Sequence, residues 1–205
     1  MSIKQLIYFF RNLCYKLQKF KTKFLLKRGL MRKFITFLFI ASILICACSD
    51  GNKTAAEWLK MEQALWDGRQ YTDPEKALEY LDKALKIEPN NPETYNKKGT
   101  AYYNMGQYER TIEMTTESIR LMPNYYLAYN NRGNAYANLR QFPNAIENYN
   151  RVIQLKPNFA DAYNSRGTVY LLQGNQQLGC LDVQKACSLG MCNTMQEAKI
   201  KGYCK

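Results

Sequence analysis

Seven cysteines and no histidine set the limits of what this 205-residue chain can do chemically. Four of the cysteines, Cys180, Cys187, Cys192 and Cys204, fall within the last twenty-six residues. Thiols grouped this way can cross-link, hold a metal or exchange electrons. A four-thiolate zinc site wants paired CxxC knuckles, and the spacing supplies none. A redox pair wants a CxxC or a cation that lowers a thiol pKa, and Lys185 is the one basic residue so placed. In an exported protein an even set of cysteines reads as two disulfides. Cys180 and Cys187 lie seven residues apart on one expected helix, about 10 Å by rise, so they cannot bond each other. Two pairings remain. If Asn193–Lys201 forms a short helix folding back antiparallel, the natural one is nested, Cys187 with Cys192 and Cys180 with Cys204.

Without histidine the Ser-His and Cys-His nucleophile systems are absent, and with them most zinc-hydrolase sites. The chain holds no GxxxxGK[ST] loop, GxGxxG fingerprint or GxSxG elbow. Glu109, Glu113, Glu117 and Glu147 recur at helical spacing and read as solvated faces. The expectation is a chain with no catalytic residue, no cofactor and no metal, hence not an enzyme. A formal charge of +12 suggests nucleic acid at first sight. Residues 1–48 hold ten Lys or Arg and no acid, which leaves 19 basic against 17 acidic residues afterwards. The body is near neutral and carries no basic stripe, so no nucleic-acid partner is expected.

The elements that must position these residues announce themselves by repetition. Pro89, Pro123 and Pro157 are each separated by 34 residues, and so are Tyr95, Tyr129 and Tyr163; Gly99, Gly133 and Gly167; Tyr102, Tyr136 and Tyr170. That period marks a two-helix repeat that stacks into a solenoid. A mid-helix Gly costs about 1 kcal/mol against Ala, so a column of them implies close approach of a second helix. Ala77, Thr111, Ala145 and Gly179 form a matching small column, and Ala84, Ser118, Val152 and Ala186 another. Leu78, Ile112 and Ile146, then Leu85, Ile119 and Ile153, then Ile87, Leu121, Leu155 and Leu189 are expected to fill the remaining core. Proline closes each second helix because it lacks the N–H and clashes with the preceding turn.

These residues resemble the tetratricopeptide repeat over Trp58 to about Asn193. In the family's order of aromatic, Leu, Gly, Tyr, Gly, aromatic, Ala, aromatic, Ala, Pro, the third unit reads Tyr129, Arg132, Gly133, Tyr136, Arg140, Phe142, Ala145, Tyr149, Val152, Pro157. The resemblance implies an all-α, right-handed superhelical solenoid of about four helix-turn-helix units (58–91, 92–125, 126–159 and 160–193, together 58–193), closed by a short C-terminal capping helix in 194–205. Lys98, Arg132 and Arg166 replace the family's Leu, and their stems are expected on the core with their charges in water. The first unit has Leu65 for Gly and Gly68 for Tyr, as suits an end repeat.

A solenoid of this type presents a concave groove built from its first helices. Its expected lining includes Asn96, Thr100, Tyr103, Asn130, Asn131, Asn134, Asn138, Asn164 and Thr168. Asparagine offers both donor and acceptor to a peptide backbone. In some relatives Asn side chains here hold an extended peptide; Asn131 matches such a position, whereas Lys97 and Ser165 do not. The Lys and Arg clamp for a terminal carboxylate is not matched. The implied function is a protein-interaction scaffold docking a protein or peptide partner in that groove. The alternative is a structural spacer or self-association module of the cell envelope with no specific ligand.

Before the repeats, residues 31–47 have the order of a secretory signal: Arg32 and Lys33, an apolar run from Phe34 to Cys46, then small residues. The run is short of the about 20 residues a span needs. Its end, Ile45-Cys46-Ala47-Cys48, resembles a bacterial lipobox, which implies cleavage before Cys48 and its lipidation, with 48–57 as lipidated Cys and tether. The expected location is the bacterial cell envelope, non-cytoplasmic and membrane-anchored; an uncleaved short anchor is the other possibility. Residues 1–30 read either as a basic amphipathic helix or as an upstream extension of a frame that starts at Met31. After the tether, Ala55–Asp67 is expected as the first helix, a loop follows from Gly68, and Asp73 caps the next helix with Pro74 in its first turn.

Overall fold

The helices begin where the sequence supplies a cap. Thr54 opens α1 (Ala55–Gln63) with a capping box: the Glu57 N–H donates to Thr54 Oγ1 at 3.2 Å, and the Thr54 N–H donates back to Glu57 Oε2 at 2.8 Å. Asp73 opens α2 (Pro74–Ile87), accepting from the Lys76 N–H at 2.9 Å. Asn91 opens α3 (Pro92–Asn104), accepting from the Thr94 N–H at 3.0 Å. Then come α4 (Tyr108–Leu121), α5 (Tyr126–Asn138), α6 (Phe142–Leu155), α7 (Ala160–Leu172), α8 (Gln176–Ser188) and α9 (Asn193–Ile200). The computed structural model describes residues 53–204. The expectations for residues 1–30, the signal segment and Cys48 lie outside them. From Thr54 onward the described residues form one compact unit. Among the described residues there is no strand, only an isolated bridge between Trp66 and Tyr71. Neighbouring helices pack in order, α1 on α2 through α7 on α8, with α9 against α8.

The first helix stops at Gln63, four residues short of the expected Asp67. The segment after it folds back instead. The Tyr71 hydroxyl donates to Glu62, its N–H donates to Asn104 Oδ1 at 3.1 Å, and its ring meets Trp66 edge-on at 5.0 Å. Asp67 Oδ1 accepts from the N–H groups of Arg69 and Gln70, which ties the turn and holds that carboxyl below the usual range.

Gly99, Gly133 and Gly167 occupy equivalent places. A Cβ on each would lie 2.8 Å from Thr115, 2.7 Å from Tyr149 and 2.9 Å from Val183, three residues that also stand in one column of the repeat. This column, with Leu81 before it, is the centre of the core: Leu81, Tyr149 and Val183 are fully buried, as is Thr115. The large apolar columns expected to fill it are half-buried instead, and Ile87 is 49% exposed. Leu78 packs against the buried Ala77 and Ala101, and Ile146 against the buried Ala145, Tyr149 and Val169.

The cationic column also differs from expectation. Lys98, Arg132 and Arg166 do not send their charges to water; each head turns onto neighbouring second helices. Lys98 Nζ donates to Asp82 at 2.6 Å, and Arg166 donates twice to Asp182, at 2.7 and 2.8 Å. The Asp182 carboxylate raises the Arg166 pKa above its ordinary value. The half-buried heads would otherwise lose hydration without return.

Candidate functional site: the face of the first helices

The first helices α1, α3, α5 and α7 bring one column to a common face: Glu62, Asn96, Asn130 and Asn164, with the next column, Gln63, Lys97, Asn131 and Ser165, beside it. Two residues of the second column, Lys97 and Asn131, reach back to the preceding repeat. Lys97 Nζ donates to Glu62 Oε2 at 2.6 Å and to Gln63 at 3.2 Å. Glu62 is 1% exposed, and its other oxygen takes the Tyr71 hydroxyl, so the buried carboxylate is fully partnered. One repeat on, Asn131 Nδ2 donates to Asn96 Oδ1 at 2.9 Å and to Thr100 Oγ1 at 3.1 Å. The Asn138 amide donates to the Tyr103 hydroxyl at 2.9 Å, and the Tyr149 hydroxyl donates to Asn134 Oδ1 at 2.9 Å. Thr100 and Thr168 donate to carbonyls of their own helices, at Asn96 and Asn164.

The nine expected groove residues lie on the first helices α3, α5 and α7, and Asn96, Thr100, Tyr103, Asn131 and Asn138 among them serve as rungs between repeats. Asn96 is 7% exposed and Asn130 9%. The ladder breaks at its third rung. Asn130 Oδ1 and Asn164 Oδ1 are buried and have no hydrogen-bond partner among the described residues. The residue that should reach Asn130 is Ser165, whose side chain is too short to repeat what Asn131 does. After α8 the chain continues as α9, which ends after eight residues and packs on α8. Burial raises the Tyr103 phenol, and more strongly those of Tyr71 and Tyr149, with Glu62 adding to the shift at Tyr71. Sequence reasoning missed Glu62, Lys97 and Tyr71 as members of this face. The signal was there for two of them, since Glu62 lies 34 residues before Asn96 and Lys97 34 before Asn131.

At the C-terminal end Cys180 bonds Cys204, with Cα atoms 5.6 Å apart, and Cys187 bonds Cys192, at 4.0 Å. Val183, Ala198 and Cys204 form a small core there, with Leu171, Cys180 and Met195 packed against it. The cysteines tie α9 down on α8 where a further first helix would begin. Among the described residues no group of His, Cys, Asp or Glu could hold a metal, and no helix is long and apolar enough to cross a membrane.

Family models of the tetratricopeptide repeat match residues 92–125 and 126–159, and a TPR repeat model matches 73–106. No curated protein matches. Among solved structures, the crystal structure of MamA is similar at 25% identity, covering 76% of this chain and 85% of that one, with a TM-score of 0.62. A thermophilic TPR protein of Thermus thermophilus is similar at 21% identity, covering 72% of this chain and 82% of that one, with a TM-score of 0.64. The first TPR of Spaghetti (RPAP3), bound to the HSP90 peptide SRMEEVD, is similar at 21% identity over 59% of this chain and 94% of that one, with a TM-score of 0.55. These last two likenesses are of fold. With its paired helices and 34-residue columns, residues 73–159 of this chain are tetratricopeptide repeats, and the fold is the all-α TPR type.

Proposed function

We propose that the chain is a non-enzymatic docking scaffold whose first-helix face takes an extended segment of a protein partner at its third and fourth repeats. One observation carries this reading: in a ladder otherwise satisfied from repeat to repeat, Asn130 Oδ1 and Asn164 Oδ1 are buried without a partner among the described residues. Leaving such an acceptor unpaired costs about 1–3 kcal/mol, a cost that backbone N–H groups of a bound peptide would offset once the two amides turn toward the surface. Lys97, the cation that could hold a terminal carboxylate, is already committed to Glu62. The face therefore suits the interior of an extended segment rather than an acidic terminus.

The scaffold is further proposed to be held at a bacterial cell envelope by lipid on Cys48. The basic start, apolar run and Ala47-Cys48 junction support that reading, as do cysteines whose pairing needs an oxidising compartment. A Cys48→Ser variant should lose acyl labelling and leave the membrane fraction; labelling that persists would remove the lipid from the account. A spacer or self-association role is the second reading. Leu172, Leu178 and Leu181, exposed by 63%, 42% and 57% at the last repeat, favour it. Pull-down from detergent extracts with wild type and an Asn130→Ala, Asn164→Ala variant of native circular dichroism separates the two. Loss of a specific partner supports docking. An unchanged set, or recovery of the chain itself alone, supports the spacer.

A further inference from the structure

On the opposite side of α5 from Asn130 and Asn134, the cationic column breaks its own pattern. Lys98 and Arg166 each meet a carboxylate, Asp82 and Asp182. Thirty-four residues after Asp82 stands Thr116, and thirty-four before Asp182 stands Asn148. Arg132 reaches the same two places and finds neutral groups: its Nη1 donates to Thr116 Oγ1 at 3.1 Å and its Nε to Asn148 Oδ1 at 2.9 Å. Asn148 is 5% exposed and is itself fixed by a bond from its Nδ2 to the Asn144 carbonyl at 2.8 Å. Arg132 forms no ion pair among the described residues. No carboxylate meets its guanidinium, and at least one N–H edge is left over from these two bonds.

A second guanidinium meets the same aromatic ring. The Arg151 side chain on α6 lies with its Cζ 6.0 Å from the Tyr129 ring centroid, where that of Arg132 lies at 5.4 Å. Arg151 donates to Gln154, again neutral, at 3.3 Å. The two open onto a cleft of about 570 Å³ lined also by Tyr129, Tyr136, Asn148 and Glu147. Two planar donor forks against an aromatic wall suit an oxyanion carried on an organic body. Glu147 is the one carboxylate in the lining and opposes it.

We propose that this cleft is a binding site for a carboxylate or phosphate group, held between the guanidiniums of Arg132 and Arg151. It is independent of the docking face, and either can fail without the other. Its test is an NMR titration of the full chain with inorganic phosphate and, separately, with benzoate, at ionic strength held constant with chloride. Saturable shifts centred on α5 and α6 are expected from one of the two probes. Saturation by phosphate assigns phosphate chemistry, and saturation by benzoate assigns carboxylate chemistry. Arg151→Gln should weaken binding by about tenfold or more, from the loss of charged hydrogen bonds, and Glu147→Gln should tighten it. Arg110→Gln, which removes the guanidinium over Tyr102, should leave it unchanged. The hydrogen bond of Arg151 runs along its own helix, so this variant keeps the fold even where Arg132→Gln does not. Absence of saturation by either probe, or binding that Arg151→Gln leaves unchanged, overturns the site.

Discussion

Where the second repeat puts Thr111, Thr115 and Ser118 on the buried side of α4, the third puts Ala145, Tyr149 and Val152 on the buried side of α6. One core is filled by hydroxyls and the other by an aromatic ring. The hydroxyls can be there because each finds a backbone carbonyl: Thr111 donates to Gly99 at 3.2 Å, Thr115 to Thr111 at 2.7 Å and Ser118 to Pro92 at 2.7 Å. Tyr149 instead fills the space against Gly133 and sends its hydroxyl out to Asn134. The glycine column sets the distance between helices, and what fills the gap is free to vary. The outer surfaces divide the same way. Asn96 and Lys98 in the second repeat have their partners, Asn131 and Asp82. Asn130 and Arg132 in the third leave an acceptor and a charge unmatched. The repeat with the apolar core is the one whose polar atoms on both faces await something else.

The comparison breaks most visibly at its largest side chain. Tyr149→Ala should cost about 3–5 kcal/mol, as for other buried aromatics, while Thr115→Ala at the equivalent position should cost about 1 kcal/mol; urea unfolding of both reads the difference. Next is the glycine. Gly133→Ala drives a methyl into the Tyr149 ring at 2.7 Å, so a loss of about 1–3 kcal/mol is expected. Gly99→Ala meets a single Thr115 methyl at 2.8 Å and gains helix propensity of about 1 kcal/mol, so its net loss should be smaller in the same assay.

Arg140 has φ +56° at the position where the flanking repeats place Gly106 and Gly174. Relieving a left-handed residue gains roughly 1 kcal/mol, and Arg140→Gly should raise the thermal midpoint. The smallest effect is a pH dependence. Burial raises the Tyr71 and Tyr149 phenols above their unfolded value of about 10. The unfolded chain then ionises first, so stability from these groups is fully present below that pH and falls as pH rises beyond it. Tyr149→Phe should flatten part of that fall in unfolding midpoints followed through the transition.

Much of this is legible in the sequence because several columns keep their residue type. Pro89, Pro123 and Pro157, or Gly99, Gly133 and Gly167, declare the period directly. The central column runs Leu81, Thr115, Tyr149, Val183, and no composition rule unites it; only its constant offset from the glycines marks it. Leu65 and Trp66 continue an apolar pattern that overstates the first helix, whereas the Tyr71 contacts to Glu62 and Asn104 end it by tertiary pull. On the docking face the asparagines are visible as a column. Which of them are committed is not, since Asn96 depends on a partner thirty-five residues away and Asn130 on the shortness of Ser165. The Arg132 cleft needs the same kind of cross-repeat alignment, with Thr116 and Asn148 set against Asp82 and Asp182.

A double-mutant cycle on Gly133→Ala and Tyr149→Thr, the second borrowing the residue of the preceding repeat, tests most directly whether the glycine column sets the gap that its partner column fills. If it does, the added methyl costs markedly less beside Thr than beside Tyr, and the two changes couple by about 1 kcal/mol or more in urea unfolding. Strictly additive losses would mean that Gly133 and Tyr149 do not share a space, contradicting the account.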